Sequence, residues 1–192
     1  MSDILIKDFK RIYKDSNCKN LFKNKSILIT GASGFIGSYL SNYFIYSLKK
    51  LGIKKIILLD LNVHKLKKNI LFRYNKEEVI IKKLDIIKTS LSNIGQKIDI
   101  IFHAASIASP SYYRKYPLET ALSNTEGLKN ILDYSLKKRV KRILFFSSSE
   151  IYGNPDKKNI PTKEDYNGNV SSVGPRACYD ESKRFGETLC YI

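Results

Sequence analysis

Short apolar runs of strand length alternate with stretches of helical length along this chain of 192 residues. The strand candidates are rich in isoleucine and apolar on both faces, which is typical of strands buried in a parallel sheet. They are Ser26–Thr30, Lys55–Leu59, Val79–Leu84, Ile98–His103 and Arg142–Ser147. The helix candidates are Phe35–Leu51, Asn62–Asn75 and Pro117–Lys138. This β-α-β-α order predicts an α/β fold with a doubly wound parallel sheet.

Residues 1–25 precede the first strand and have a pattern of their own. Their apolar residues recur at helical spacing, which predicts an amphipathic helix; these residues are Leu5, Phe9, Ile12 and Tyr13. A chain of this length normally forms one domain with a sizeable core. We therefore expect a helical extension over residues 1–25 and one folded domain over residues 26–192.

Composition excludes several classes of protein. A hydrophobic content of 43% excludes wholesale disorder. No apolar run approaches the ~20 residues of a membrane helix, and the charged N-terminus is unlike a secretory signal, so no membrane partner is expected. The three cysteines lack Cys-x-x-Cys spacing. They argue against a disulfide framework or a structural metal site and predict a cytoplasmic location.

The formal charge of +16 leaves nucleic acids, anionic membranes and anionic small molecules as partners. Only seven of the 34 basic residues are arginine, so the fork geometry that reads phosphates and guanines is scarce. The lysines form short pairs at the ends of apolar segments. This pattern is typical of solvated helix and strand ends, and we expect no nucleic-acid partner.

A glycine-rich turn follows the first predicted strand and opens the first predicted helix. Gly31 permits a tight turn, Gly34 lets a pyrophosphate approach the backbone, and Gly37 allows close helix–strand packing. The helix N-terminus supplies free N–H groups and partial positive charge to a phosphate. The first gap is one residue longer than in the common dinucleotide fingerprint, so the glycines need support from their context.

That context is an acidic residue at the end of the next strand. Asp60 lies 60 − 37 = 23 residues after Gly37, near the ~20 expected for an acid that binds the adenosine ribose. An acid there repels a 2′-phosphate, so NAD is favoured over NADP. The alternative role for Asp60 is a helix N-cap. Asp85, after the third strand, fits an adenine contact or a simple turn.

Tyr179 and Lys183 form a Tyr-x-x-x-Lys pair that shares one face if the segment is helical. A lysine charge ~4 Å from the phenol, at an effective dielectric of about 20, contributes roughly 4 kcal/mol. That is about three pKa units, enough to bring a phenol near neutrality. Such a tyrosine can accept a proton from a sugar hydroxyl while hydride leaves the same carbon.

Two further segments accompany this pair. Ser148, Ser149 and Glu150 close the fifth predicted strand, where catalytic groups sit in open α/β sheets; the alternative is a solvated strand end. Residues 153–176 are rich in Asn, Asp, Gly, Pro and Ser, and form either a disordered linker or a substrate loop. His103 and Cys178 are interpreted as structural residues.

Together these segments resemble the extended short-chain dehydrogenase/reductases of the NAD-dependent epimerase/dehydratase family, which have a Rossmann-like fold. The matching residues begin near Ser26 and include Thr30–Gly37, Asp60, Asp85-Ile86, His103–Ala105, Asn124-x-x-Gly127, Ser148–Gly153 and Tyr179–Lys183. The resemblance implies NAD as cofactor. The NAD-binding residues that it implies are Gly31, Ser33, Gly34, Phe35, Ile36, Gly37, Asp60, Asp85, Ile86, Ala104, Ala105, Tyr179 and Lys183.

Within the family, the segments around residues 105–110 and 174–184 look most like the UDP-glucuronate decarboxylases, which are lyases. The resemblance implies catalysis by Tyr179, Lys183, Ser148, Ser149 and Glu150, and substrate contacts from Ser109, Pro110, Glu150, Arg176 and Arg184. It also implies a nucleotide-sugar substrate and a homodimer formed through Pro117–Lys138 and the Tyr179 helix. A 4,6-dehydratase, an epimerase or an inactive NAD-binding module are the alternatives.

The chain departs from the family pattern at its end, because family members continue into a sugar-binding domain after the Tyr/Lys helix. The sequence stops at Ile192. We therefore expect a truncated chain that lacks most of the sugar site, binds NAD weakly and turns over poorly on its own.

Overall fold

The computed structural model describes residues 3–192, with only the backbone of Asn93. Residues 1 and 2 of the predicted N-terminal extension lie outside the described residues. The chain divides into two compact units. The first comprises the residues up to 85 together with 92–105 and 135–144, and the second comprises 86–91, 106–134 and 145–192.

The first unit is built on a five-stranded sheet with the order β3-β2-β1-β4-β5. The strands are β1 Ser26–Thr30, β2 Lys55–Asp60, β3 Val79–Lys83, β4 Ile100–His103 and β5 Arg142–Phe145. β1 pairs in parallel with β2 and β4, and β2 pairs in parallel with β3. This order is that of a doubly wound Rossmann-like sheet, so the predicted fold class is confirmed.

Burial differs between the centre and the edges of the sheet. All five residues of β1 are buried, whereas β3 has one buried residue and β5 has none. The expectation that all five strands are buried on both faces is therefore wrong for β3 and β5. These two strands lie at the edges of the sheet, where each has a single neighbouring strand.

Three helices belong to the first unit, namely α1 Asp3–Asp15, α2 Phe35–Leu51 and α3 Val63–Asn69. The bounds of α2 are those predicted, and Gly52 ends it in the left-handed conformation that favours glycine (φ 62°). α3 is shorter than predicted because the backbone adopts an extended conformation at Ile70.

Helix α1 joins the core of the first unit through Phe9, which is fully buried. The Phe9 ring lies 5.2 Å from the ring of Tyr39 and 5.6 Å from that of Tyr43, both edge to face. It also packs against the rings of Tyr46 and Phe72. Aromatic pairs with this geometry contribute beyond the area they bury.

The second unit is mainly helical. Its helices are α4 Pro110–Lys115, α5 Pro117–Asn124, the part of α6 (Glu126–Lys138) that extends to Tyr134, and α7 Ala177–Tyr191. The single predicted helix over Pro117–Lys138 is interrupted at Thr125, which has φ −108° and ψ −77°. There Asn124 is held by a 2.9 Å hydrogen bond from its Nδ2 to the Ser182 hydroxyl. No described helix has the length and apolarity to cross a bilayer.

Residues 153–176 form a closed loop. A parallel bridge joins Gly153 to Asn169, and the backbone N–H of Asn154 donates to the Asn169 carbonyl at 2.9 Å. The Asn169 N–H donates in turn to the Tyr152 carbonyl at 2.9 Å. The segment is therefore ordered, and the alternative of a disordered linker is wrong.

Candidate nucleotide-binding and catalytic sites

The glycine turn connects β1 to α2. Gly31 has φ 65°, and a Cβ placed on it would lie 2.7 Å from the Ala104 carbonyl oxygen and from the Ala105 backbone. A Cβ on Gly37 would lie 2.0 Å from the Gly31 carbonyl oxygen. Gly31 and Gly37 are therefore required by close backbone packing, and Ala104 and Ala105 lie directly against the turn.

Gly34 differs from these two glycines because a Cβ there would meet only the Gly31 carbonyl oxygen, at 3.1 Å. Gly34 is also the N-cap of α2 and provides no side-chain cap. The first N–H groups of a helix have no partner within it and attract anions. Phe35 and Ile36, at the start of α2, are 95% and 46% exposed. The turn therefore offers an open anion site beside apolar surface, which suits a dinucleotide.

Asp60 is tied directly to this turn. Its Oδ2 accepts a hydrogen bond of 2.7 Å from the N–H of Ser33, and its Oδ1 accepts one of 2.8 Å from the N–H of Asn62. The N-cap of α3 is Asn62, whose Oδ1 accepts from Lys65 N. The N-cap alternative for Asp60 is therefore wrong. A carboxylate has about four acceptor positions, so capacity remains for ribose hydroxyls.

The residues after β3 have different surroundings. Asp85 is half-buried in the first unit, and its predicted adenine contact stays a prediction. Ile86 is buried in the second unit, where Asn130 donates to its carbonyl at 2.9 Å. The Ile86 side chain would lie 2.8 Å from a Cβ on Gly127. The Asn124-x-x-Gly127 motif thus serves helix packing.

His103 has a structural position at the end of β4. Its Nδ1 lies 2.7 Å from the Thr30 hydroxyl, which also accepts a hydrogen bond of 3.3 Å from the N–H of Ala105. Cys178 packs in the second unit with its sulfur 3.7 Å from the Tyr113 carbonyl oxygen, and burial raises the pKa of its thiol. A raised pKa disfavours the nucleophilic thiolate.

Helix α7 brings Tyr179 and Lys183 together one turn apart, with both side chains buried. The Lys183 Nζ lies 5.8 Å from the centre of the Tyr179 ring and 4.7 Å from that of Phe145. It donates a hydrogen bond of 2.6 Å to the Phe146 carbonyl. Burial lowers the pKa of Lys183 to about 8. The Tyr179 ring stacks on that of Tyr113 with centroids 5.3 Å apart.

The serine–glutamate trio lies beyond the strand rather than at its end. β5 ends at Phe145, and Ser149 and Glu150 open a 3₁₀ turn over Ser149–Tyr152. Ser148 caps this turn, because its hydroxyl accepts a 3.2 Å hydrogen bond from the N–H of Glu150. The strand prediction over Arg142–Ser147 was therefore two residues too long, and the turn fixes the backbone of Glu150.

Arg176 joins two acidic residues of the second unit, Glu150 and Asp180. Arg176, the N-cap residue of α7, forms ion pairs with Glu150 and with Asp180, the latter at 3.4 Å. Asp180 is 6% exposed; burial raises the pKa of its carboxyl, and the Arg176 charge opposes that rise. The sequence reasoning missed Asp180, although its i, i+4 spacing from Arg176 was a usable signal.

Arg184 and the Ser109-Pro110 pair were predicted to contact substrate. The Arg184 Nη1 donates to the carbonyls of Ile151 at 2.7 Å and Asn167 at 2.9 Å. This guanidinium therefore joins α7 to the 3₁₀ turn before the closed loop, through Ile151, and to the loop itself, through Asn167. Ser109 is the exposed N-cap residue of α4 and Pro110 is the first residue of that helix. Their contact with a substrate stays a prediction.

Comparison with known proteins identifies one family, and the similar proteins are nucleotide-sugar enzymes that fit it. The family model described as "NAD dependent epimerase/dehydratase family" matches residues 27–192. UDP-glucuronic acid decarboxylase 1 of Danio rerio is 38% identical over 168 residues, which are 87% of this chain and 37% of that protein.

Solved structures show the same fold. The UDP-N-acetylglucosamine 4-epimerase from Methanobrevibacter ruminantium M1, in complex with UDP-N-acetylmuramic acid, has a TM-score of 0.71 at 28% identity. The alignment covers 88% of this chain and 50% of the epimerase. WbmG from Bordetella bronchiseptica, in complex with NAD, has a TM-score of 0.69 at 22% identity, with the same coverage. The chain thus spans half or less of these relatives.

Proposed function

The chain belongs to the NAD-dependent epimerase/dehydratase family, and on this premise we propose that it carries the cofactor turn and the proton-transfer residues of an enzyme that converts UDP-glucuronate to UDP-xylose. The observation that carries the proposal is the buried Tyr179–Lys183 pair on α7. Its support from relatives is the 38% identity to a UDP-glucuronic acid decarboxylase.

The first unit supplies the residues for NAD. The α2 N-terminus, with Gly34 at its cap, would hold the pyrophosphate, and Asp60 would accept hydrogen bonds from the adenosine ribose hydroxyls. The chemistry that bound NAD would supply is reversible hydride acceptance at C4 of the sugar. The Asp60 carboxylate repels a 2′-phosphate and so favours NAD over NADP.

The second unit supplies the acid–base groups. Tyr179 accepts the proton of the sugar C4 hydroxyl, and the Lys183 ammonium lies beside its ring, 5.8 Å from the ring centre. The hydroxyl of Ser148 or Ser149 donates a hydrogen bond to the reacting oxygen. The resulting 4-keto group is β to the C5 carboxylate, so the electrons released with CO2 flow into an enolate. Reprotonation at C5 and reduction at C4 complete the reaction.

A second candidate function shares the first half of this reaction. In a 4,6-dehydratase or an epimerase the same 4-keto sugar forms, and Glu150 would act at the neighbouring carbon in the dehydratase. The match to a UDP-N-acetylglucosamine 4-epimerase favours this alternative at the level of fold and shared residues. The products separate the candidates, since CO2 is released only by the decarboxylase.

We also propose that the protein is a cytoplasmic homodimer formed through α5, α6 and α7. The support for the interface is exposed apolar surface on these helices, with Leu118 65% and Phe185 50% exposed. Light scattering of the purified protein tests the dimer.

The experiment is incubation of the chain, and of the longest natural gene product that contains it, with NAD and UDP-glucuronate. Release of CO2 with formation of a UDP-pentose is expected from the longer product. Tyr179→Phe should abolish it, while Tyr191→Phe, whose side chain is exposed, should not. A 4-keto-6-deoxy product from a hexose substrate, without CO2 from UDP-glucuronate, would favour the second candidate instead.

A further inference from the structure

The net charge of the chain lies entirely in its first unit. That unit contains 24 basic and eight acidic residues, a formal charge of 24 − 8 = +16, whereas the second unit contains ten of each. The cofactor turn, residues 31–37, contains no basic residue, so the cofactor does not account for this excess. The charge therefore points to a further anionic partner of the first unit.

Part of this charge is collected at the edge of the sheet where the strands begin. Lys25, Lys54 and Lys141 directly precede β1, β2 and β5. The N–H of Lys54 donates to the Lys25 carbonyl at 2.9 Å, and the N–H of Lys141 donates at 2.9 Å to the carbonyl of Asp99, just before β4. These hydrogen bonds tie the three lysines to one edge of the sheet. Ligands of open α/β sheets bind at the opposite edge, where the strands end.

Further lysines surround the ends of α1 and α2. The Nζ atoms of Lys19 and Lys50 lie 4.7 Å and 5.9 Å from the centre of the same ring, that of Tyr13. A Cβ on Gly52, directly after α2, would lie 3.5 Å from the Lys23 side chain. We call the combined area the basic surface, and its residues are Lys14, Lys19, Lys23, Lys25, Lys50, Lys54 and Lys141.

Helix dipoles explain only part of this arrangement. Cations are favourable near a helix C-terminus, which applies to Lys14 in the last turn of α1 and Lys50 in the last turn of α2. Lys23, Lys54 and Lys141 lie outside any helix. Among the described residues, none of the seven lysines forms an ion pair with an acid. Like charges repel one another, so an external anion would relieve that repulsion.

The chemistry of the basic surface favours a lipid bilayer over a nucleic acid. Twenty of the 24 basic residues of the first unit are lysine, which lacks the planar fork that arginine offers to phosphates and bases. Leu21 lies between Lys19 and Lys23 in the sequence and is 41% exposed. Lysine clusters accompanied by exposed apolar side chains bind bilayers through charge attraction and shallow insertion.

We propose that the basic surface binds a bilayer that contains anionic phospholipids, with its lysines at the headgroups and Leu21 inserted among them. Such peripheral binding requires no membrane-spanning helix. Helix α2 has 17 residues and is about 25 Å long, and it separates the basic surface from the cofactor turn at its other end. The cofactor turn therefore stays clear of the bilayer.

Flotation of the chain with lipid vesicles tests the proposal. The chain should bind vesicles that contain phosphatidylserine and should not bind vesicles of phosphatidylcholine alone. About 1 M NaCl should release it, because salt at that concentration screens charges beyond about 3 Å. Absence of binding to the phosphatidylserine vesicles would overturn the proposal and leave the proposed reaction intact, since the reaction depends on other residues.

Matched variants separate the basic surface from the net charge. Lys23→Gln/Lys54→Gln should weaken vesicle binding by about 20-fold, since each lysine near an anionic bilayer contributes about fivefold. Lys67→Gln/Lys68→Gln removes the same charge from α3, which follows the end of β2, and should bind nearly as the wild type does. All four side chains are exposed, so both variants should keep the melting temperature. An equal loss of binding in the two variants would overturn the basic surface.

A further variant and a second probe test the choice of partner. Leu21→Ser should weaken vesicle binding by about fivefold, because partial burial of one leucine is lost. Unchanged vesicle binding in this variant would overturn the insertion of Leu21. A duplex DNA should bind the wild type more weakly than the phosphatidylserine vesicles do at the same salt concentration. Tighter binding to the duplex would overturn the bilayer in favour of a nucleic acid.

Discussion

The ammonium of Lys183 donates its 2.6 Å hydrogen bond to a backbone carbonyl, that of Phe146, and so remains a buried charge held by a neutral acceptor. Desolvation then favours the uncharged amine and lowers the pKa of Lys183 to about 8. A lysine of this kind is stable as a cation at neutral pH only at a cost in folding free energy.

The first prediction concerns stability at alkaline pH. The pKa of Lys183 is about 8 in the folded chain and 10.5 in its ordinary state, so the unfolded chain binds more protons between these values. Lys183 therefore increases the free energy of unfolding as pH rises from about 8 to about 10.5, by about 3 kcal/mol in total. Urea titrations of the wild type and Lys183→Met across this range should show that gain only in the wild type.

The second prediction separates two glycines of the cofactor turn. Gly37→Ala places a Cβ 2.0 Å from the Gly31 carbonyl oxygen and should destabilise the chain by about 1–3 kcal/mol. Gly34→Ala meets only one atom, at 3.1 Å. It should keep the melting temperature near that of the wild type but weaken NAD binding. Equal melting temperatures for both variants would contradict the packing role of Gly37.

The third prediction concerns cofactor choice. Removing the negative charge in Asp60→Asn should reduce the preference for NAD over NADP by about tenfold, because repulsion of the 2′-phosphate is lost. Calorimetric titration with both cofactors measures this preference, and Asp133→Asn on the exposed face of α6 is the control. An unchanged preference would mean that Asp60 serves only its bonds to Ser33 and Asn62.

The fourth prediction concerns the closed loop of residues 153–176. Arg184→Met removes the hydrogen bonds to the Ile151 and Asn167 carbonyls and should cost about 2 kcal/mol. Limited proteolysis should then cleave within the loop faster than in the wild type or in the control Arg142→Met, since Arg142 is exposed at the start of β5. Cleavage at the wild-type rate would argue that the bridge between Gly153 and Asn169 holds the loop alone.

The sequence was most informative where local chemistry decides the structure. The apolar runs located β1 and β2, the helical pattern after the turn located α2, and the three glycines located the turn. Periodicity missed the interruption at Thr125, because Asn124 is held there by a residue far along the chain, Ser182. It also overestimated burial in β3 and β5, since an edge position is a property of the assembled sheet.

The candidate site shows the same division. The pairing of Tyr179 with Lys183 could be predicted from the sequence because both residues lie on one helix, within one turn of each other. The sequence did not predict the contacts of Arg176 with Glu150 or of Arg184 with Ile151 and Asn167. In these contacts the two residues are 17 to 33 positions apart in the sequence. These contacts depend on how the loop folds against α7, and a local sequence pattern contains no information about that tertiary arrangement.

Phe9 is buried among the rings of Tyr39, Tyr43, Tyr46 and Phe72, and this packing affects how the protein can be expressed in shortened form. The family match begins at residue 27, and a recombinant version trimmed to that boundary would strip α1 away. The four rings would then be exposed to solvent and form an apolar patch on the first unit. A recombinant version of this protein should therefore keep the N-terminal helix, or carry polar residues in place of those aromatic residues, to prevent aggregation.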